Sequence, residues 1–413
     1  MSDTTKQSLR NITFCILTDV LFKNVLLCDA FLKQFDKCSF DERDRSFVEF
    51  ECKGIIEEKT NIDKIINEYS KVKIKKLDKS IYVLLLIGIY EILYMDKVPD
   101  YAAVNETVEL AKKITKSYLS SYVNGILRNV ERNKSTIYTE KKQKEKRCYF
   151  KILNNSIEEV LEEIYKSDII CKKYTGALDF KYQNVYFSDN YKKLLSLASF
   201  KNGNILIADA SSLFLTDKLA DIINSEFSDK NGVIKILDVC AAPGGKTLSL
   251  NDNLSAKNLY IKACDISKSK INKILDNIKR LKTNNVDTII RDATMFDKCD
   301  YEKFDVVICD VPCTGLGISN KKPDIKEHYS EEKLDALINI QRKIIDVSCK
   351  YLKNNGILSY STCTTTNEEN EDIIKYFIKT HKSYKKIYEK RIGVFDENLS
   401  DGFYMCIMKK KLV

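Results

Sequence analysis

At 413 residues with 44% hydrophobic side chains, the chain is long enough for two or three domains with real cores, which excludes a disordered or fibrous protein. A net charge of +9, from 68 Lys and Arg against 59 Asp and Glu, is a modest basic excess compatible with a polyanionic partner. The longest apolar stretch, residues 81–95, contains Gly88, Glu91 and three tyrosines and is too short to span a bilayer, and residues 1–6 are polar and unlike a signal sequence, so a cytoplasmic protein without a membrane partner is expected.

In chain order, residues 7–130 read as helical. Leu9, Phe14, Leu17, Val20 and Leu21 recur at helical spacing. Further helices are predicted over 43–53, 62–70, 79–95, 104–114 and 118–130, with Asn61 as an N-cap and Pro99 breaking the chain between two of them. No strand signal interrupts them, so an all-α domain is expected over 1–132. Residues 133–148 form a charged linker, read as a solvated segment in preference to a specific RNA contact. Residues 149–215 mix a helix over 156–165 with short strands at 184–187 and 204–207, a small α+β module. From 216 to 413, strands at 233–239, 259–264, 286–290, 304–310, 356–361 and 402–408 alternate with helices at 246–254, 267–282, 331–352 and 367–379. That alternation predicts a doubly wound, Rossmann-like parallel sheet, so the chain as a whole is multidomain.

Fourteen cysteines are scattered with no Cys-x-x-Cys pair, and the two histidines, His328 and His381, are isolated. Neither a disulfide framework nor a zinc site is expected, and no metal. Cys15, Cys28, Cys52 and Cys349 sit in helical apolar patterns and read as small core residues.

Three motifs follow predicted strands, where the ligands of open α/β sheets bind. The first is the loop Cys240-Ala241-Ala242-Pro243-Gly244-Gly245-Lys246-Thr247. It lacks both Gly-x-Gly-x-x-Gly and Walker spacing, so neither NAD nor ATP is indicated. Asp265 closes the next strand, where a carboxylate suits the two hydroxyls of a ribose, and Asp292 closes the one after, where it would accept from an adenine amino group. Alone, each is an ordinary cap or turn residue. In this order they describe a pocket for S-adenosylmethionine.

The other two motifs carry Cys313, in Asp310-Val311-Pro312-Cys313-Thr314-Gly315, and Cys363, in Tyr360-Ser361-Thr362-Cys363-Thr364. Carbon 5 of cytosine is a poor nucleophile. A thiolate adding to carbon 6 makes an enamine whose carbon 5 takes a methyl group from a sulfonium, and the carbon 5 proton must then be removed before the thiolate leaves. One nucleophilic cysteine and one group assisting release meet that need. The plain alternative is a pair of buried core thiols, against which the flanking motifs weigh.

These residues, with Lys322-Pro323-Asp324-Ile325 and Glu368-Glu369-Asn370-Glu371, resemble the RNA cytosine-C5 methyltransferases of the Nol1/Nop2/Sun type. The resemblance implies that Cys363 is the nucleophile and that Cys313 assists product release. It places cofactor contacts on residues 240–246, Asp265, Asp292 and Asp310, and it lets Asp310 and Lys246 hold the base. Upstream, Gly88-Ile89-Tyr90-Glu91-Ile92-Leu93-Tyr94, residues 102–111 and Val123-Asn124-Gly125-Ile126-Leu127-Arg128-Asn129 are similar to the NusB-type RNA-binding domain. Fusion of the two is similar to the bacterial ribosomal RNA small subunit methyltransferase B family. It implies 16S rRNA or a partly assembled small subunit as partner, and a monomer. The chain departs from that family at Tyr149-Phe150-Lys151 and Ile207-Ala208-Asp209 and in the short segment before the middle module, positions that bear on RNA contacts. Two other readings remain: a cytosine-C5 methyltransferase for tRNA or another rRNA site, and a non-catalytic NusB-like RNA-binding factor.

Overall fold

The computed structural model describes residues 8–36, 40–137, 147–153, 157–176, 178–181, 184–228, 232–254, 257–393 and 401–411. Most of the charged linker, residues 138–146, and the first residue of the helix expected over 156–165 lie outside them. The chain divides into two units, Met1–Lys144 with Lys321–His328, and Glu145–Asn320 with Tyr329–Val413.

The first unit holds six α-helices among the described residues: α1 Leu9–Lys23, α2 Leu27–Phe35, α3 Glu42–Tyr69, α4 Lys79–Tyr94, α5 Asp100–Ile114 and α6 Ser117–Arg132. Helix α4 is its axis. Asp78 caps it by accepting from Ser80 N and Ile81 N, and every residue from Ile81 to Leu93 is buried. A helix apolar all round must be enclosed, and α1, α3, α5 and α6 pack around it. Its one buried charge, Glu91, is paired with Arg10 of α1.

Two expectations change here. The helices expected over 43–53 and 62–70 are one helix, α3, because residues 54–61 contain no proline and Ile55, Ile56 and Ile62 carry the apolar stripe through. Asn61 therefore lies mid-helix, donating to Glu58, and the cap is Asp41, which accepts from Asp44 N at 2.7 Å. Helix α5 starts directly after Pro99. The short helix α2 was not foreseen. Its N-terminus is held by Asp324 from the second segment of this unit, whose Oδ2 accepts from Leu27 N at 2.9 Å, while His328 Nδ1 meets Asn24 Oδ1 at 2.9 Å. Of the cysteines expected in cores, Cys52 and Cys349 are buried, whereas Cys15 is half-buried and Cys28 is exposed.

The second unit begins with β1 Cys148–Ile152, α7 Ile157–Lys166, β2 Cys171–Lys173, β3 Val185–Ser188, the short α8 Tyr191–Ser196 and α9 Ala198–Lys201, β4 Ile205–Ile207 and α10 Ala210–Glu226. Its four strands pair antiparallel in the order β2-β3-β1-β4. The main sheet follows: β5 Ile234–Asp238, α11 Gly245–Asn253, β6 Leu259–Asp265, α12 Lys268–Leu281, β7 Val286–Ile290, β8 Phe304–Asp310, α13 Glu331–Ser348, β9 Leu352–Thr362, α14 Glu371–Thr380, β10 Tyr384–Ile392 and β11 Phe403–Lys410. Its order is β10-β11-β9-β8-β5-β6-β7. Strands β5 to β9 pair in parallel as expected, but β11 runs antiparallel to β9 and closes a hairpin with β10, so the sheet is mixed. Strand β8 is buried from Phe304 to Cys309, as a central parallel strand covered on both faces must be.

Strand order reverses at β5, whose neighbours are β6 and β8, so the crevice beyond its carboxyl end is where this architecture takes ligands. The small sheet packs into the same unit. Tyr149 shares a core cluster with Phe214, Phe403 and Met405, and the buried Lys151 pairs with Asp252 at 2.5 Å and donates to Asn253. Burial drives the Lys151 pKa down despite that pair. Tyr149 and Lys151 are thus internal struts, not an RNA-facing departure.

Candidate active site

Strand β5 ends in Asp238, which is 1% exposed and accepts from Thr247 Oγ1 at 2.6 Å. Burial pushes its carboxyl up to about 7, outweighing the Thr247 hydrogen bond. The loop then turns through Gly244, whose φ of 99° lies in the left-handed region that favours glycine, and Gly245 opens α11. A Cβ at Gly245 would meet only Ala208 within 4 Å, at 3.9 Å, so the backbone there has an open face.

One cavity of about 230 Å³ lies against this loop. Cys240, Ala241, Ala242, Pro243, Gly245, Lys246, Asp310 and Cys363 line it, together with Asp238, Phe403, Asp209, Asp401 and Ala208. Eight of the twelve catalytic and cofactor residues expected from the sequence thus converge on one space. Gly244, Asp265, Asp292 and Cys313 do not line it. Asp265 sits beside it, its carboxylate accepting from Ala242 N at 3.0 Å and Ile266 N at 2.8 Å and pairing with Lys270 at 3.1 Å. Asp292 is exposed at the end of β7, and its carboxylate caps Thr294, whose two hydrogen bonds hold its pKa down.

Lys246 projects from the first turn of α11 to Asp310 at the end of β8, Nζ to Oδ2 2.7 Å, and its ammonium lies 5.4 Å from the centre of the Phe403 ring. Ser361 Oγ donates to the other Asp310 oxygen at 2.7 Å. Burial works to lower the Lys246 pKa, but Asp310, with the Cys363 and Asp238 charges, raises it above the ordinary value, so the group stays an ammonium.

Cys313 and Cys363 stand on loops after the adjacent strands β8 and β9, and their Sγ atoms are 3.3 Å apart. The Cys313 S–H donated to Cys363 lowers the Cys363 pKa against the opposing effect of burial, and Lys246 assists. The same bond, with burial, raises Cys313 well above an ordinary thiol. When one thiol of the pair ionises, these opposite shifts favour Cys363 as the thiolate.

Several site residues carried no sequence signal of their own. Asp238 is the first charged residue before the glycine loop, and only the strand's end marks it. Phe403 sits at the start of β11, far along the chain. Gly317 laces the loops together: its N–H donates to Cys363 O at 3.1 Å and its carbonyl accepts from Gly402 N at 2.9 Å.

Residues 227–406 match the family 16S rRNA methyltransferase RsmB/F, and residues 7–132 match the NusB family. The chain is 24% identical to a ribosomal RNA small subunit methyltransferase B of Proteus mirabilis, covering 98% of this chain and 100% of that protein. It is 25% identical to the protein of that name from Cronobacter sakazakii, over 82% of each. Among solved structures, PH0851 aligns with a TM-score of 0.74 at 20% identity, covering 98% of this chain and 99% of that one. NSun6 from Pyrococcus horikoshii with SFG, an S-adenosylmethionine analogue, aligns with a TM-score of 0.55 at 20% identity, covering 75% of this chain and 98% of that one.

Proposed function

Because residues 227–406 match the 16S rRNA methyltransferase RsmB/F family and residues 7–132 the NusB family, we propose that the chain methylates carbon 5 of a cytosine in 16S rRNA through a covalent bond from Cys363 to carbon 6. The observation that carries this reading is the thiol pair, 3.3 Å apart, beside the Lys246–Asp310 ion pair. A core needs no such arrangement of two thiols, a carboxylate and an ammonium at the edge of a cavity.

The residues present fit S-adenosylmethionine. The carboxylates of Asp238 and Asp265 suit a sulfonium and ribose hydroxyls, Gly245 offers its bare backbone, and Ile266, 59% exposed beside Asp265, offers an apolar ledge for the adenine. Bound there, the cofactor supplies the methyl group.

Cys363 adds to carbon 6 as the thiolate that Cys313 stabilises, and the displaced electron pair makes carbon 5 nucleophilic. Lys246 and Asp310 hold the polar edge of the base, the ammonium donating and the carboxylate accepting from the exocyclic amino group. After methylation water takes the carbon 5 proton, the freed electron pair re-forms the C5–C6 double bond as the C6–Sγ bond breaks, and Cys313 assists by offering its S–H to the departing Cys363 thiolate. The base must be out of its stack, so the target is a loop cytosine. RNA docking falls to the helical unit, where Lys71, Lys73, Lys75 and Lys76 stand exposed while Ile74 and Leu77 anchor their loop on the core. The expected setting is a cytoplasmic monomer acting on 16S rRNA or a partly assembled small subunit. Among the described residues no helix is long and apolar enough to cross a membrane.

Cys313→Ala tests the reading. Incubated with 16S rRNA and S-adenosylmethionine, it should accumulate a protein–RNA adduct on a denaturing gel, and Cys313→Ala/Cys363→Ala should form none. Full turnover by the double variant would refute it.

A further inference from the structure

The two cysteine loops are held by two consecutive side chains, Glu369 and Asn370, that belong to neither loop and are both fully buried. Glu369 grips the Cys313 loop. Its Oε1 accepts from Thr314 N at 2.8 Å, its Oε2 accepts from Thr314 Oγ1 at 2.6 Å, and Oε1 also accepts from Gln341 Nε2 at 3.0 Å. The Gln341 amide donates in addition to Pro312 O at 2.9 Å. The residues before and after Cys313 are therefore both tied to one carboxylate, directly or through one amide.

Asn370 does the same for Cys363. Its Oδ1 accepts from Thr362 Oγ1 at 2.5 Å and its Nδ2 donates to Thr364 O at 3.2 Å, again one bond on each side of the cysteine. The two brackets are joined. Thr364 Oγ1 meets Thr314 Oγ1 at 2.8 Å, and Tyr360 Oη donates to Glu369 O at 2.6 Å. A buried carboxylate is retained at a large desolvation cost unless several donors satisfy it, and here four do, Thr366 Oγ1 at 2.8 Å being the fourth. So many bonds directed at two short loops fix the separation of two sulfur atoms that must act in turn on one base.

We propose that Glu369 and Asn370 are positioning residues with divided duties, Glu369 placing Cys313 for the release step and Asn370 placing Cys363 for addition to the base. Neither side chain touches substrate. The inference rests on the cysteine roles proposed above, and it assigns each bracket a different step.

The chemistry of the brackets sets the expected variants. Glu369→Gln retains an acceptor for Thr314 N and Gln341, and its new amide donor faces the Thr314 and Thr366 hydroxyls, which can turn to accept. Glu369→Ala removes the acceptor that four donors share, and Thr314 N and Thr366 Oγ1 lose the bond described for them. Single-turnover methylation of 16S rRNA by the full chain, quenched in denaturant, reads adduct and released product separately. In Glu369→Ala the adduct should persist at least tenfold longer than in wild type, with the methyl-transfer burst within threefold. Glu369→Gln should return release to within threefold. Asn370→Ala should slow adduct formation at least tenfold and accumulate none. If Glu369→Ala does not fold, Gln341→Leu, which severs the tie to Pro312 and one of the four bonds to Glu369 but keeps both Thr314 bonds, should give the same delayed release. Equal slowing of both steps in every variant, wild-type kinetics throughout, or a Gln variant as defective as the Ala variant would each overturn the inference. Absence of any Cys363-dependent adduct in Cys313→Ala would instead overturn the cysteine roles themselves.

Discussion

Adding one methyl group at Gly317 is the sharpest test of how the two catalytic loops depend on one another. An ideal Cβ at Gly317 lies 2.1 Å from Gly402 O and 2.7 Å from Cys363 O, whereas a carbon in contact with a carbonyl oxygen sits at about 3.3 Å. Gly317 does not occupy the left-handed region, so the whole conflict in Gly317→Ala is steric, and a backbone segment must move by about 1 Å. Overpacking of this kind costs about 1–3 kcal/mol, and in a domain of this size each kcal/mol lowers Tm by about 2–4 °C. The catalytic effect should be larger, because the carbonyl that must retreat belongs to the nucleophile's own residue. A displacement of about 1 Å at a reacting group reduces kcat by about 100-fold. S-adenosylmethionine affinity should stay within a few-fold, since residues 240–246 are not among the crowded atoms. Gly125→Ala is the control: nothing lies within 4 Å of its Cβ, and alanine in α6 should be neutral or stabilising by up to about 1 kcal/mol. Thermal melting, cofactor titration and single-turnover methylation of 16S rRNA together decide. Wild-type kcat and Tm in Gly317→Ala would show that the loops are not laced through this residue.

Three further outcomes follow from the site. Iodoacetamide should label Cys363 at a pH below that of an ordinary thiol, with reactivity rising as pH increases through its lowered pKa, and Cys313→Ala should move that midpoint upward; mass spectrometry across a pH series would expose an unmoved midpoint. Asp265→Ala should weaken S-adenosylmethionine binding by about 1.5–3 kcal/mol, read by calorimetry, since it removes charge-assisted acceptors and frees Ala242 N; an unchanged Kd would place the cofactor elsewhere. Replacing Lys73, Lys75 and Lys76 by alanine should weaken RNA binding and flatten the plot of log affinity against log salt by about 0.7–0.9 per lost phosphate contact, leaving kcat at saturating RNA intact. A salt slope equal to wild type would remove that loop from the RNA interface.

What the sequence made legible was whatever depends on local order. Strands β5 to β9 announce themselves by short runs of apolar and β-branched residues, and the cysteines, the glycine loop and Asp310 by falling at or just after the ends of those strands. The helical unit was visible through its stripe of isoleucine and leucine, although the division of α3 at Asn61 was wrong because helix continuity is settled by the core that residues 55–62 enter. Helix α2, β1, β2, β10 and the antiparallel turn of β11 escaped notice because their signals are short or mixed. In β10, an edge strand, Lys385, Lys386 and Ile387 are exposed in succession, so no clean alternation marks it. Lys151 misled in the opposite sense, since a lysine in sequence reads as surface until its partners Asp252 and Asn253 are known.

The residues that hold the site together were the least legible, and the reason is topological. Asp310 and Ser361 come from neighbouring parallel strands separated by helix α13, and Gln341 on that helix reaches both Pro312 and Glu369. Gly317, Gly402 and Cys363 meet through backbone bonds that leave no mark on residue type beyond the glycines themselves. A parallel sheet gathers the ends of strands distant in sequence, so each motif displays its own nucleophile or carboxylate, while the bonds that set the distances between motifs exist only once β8 and β9 are paired. The chemistry of this site can therefore be read one loop at a time, but its geometry is a property of the sheet.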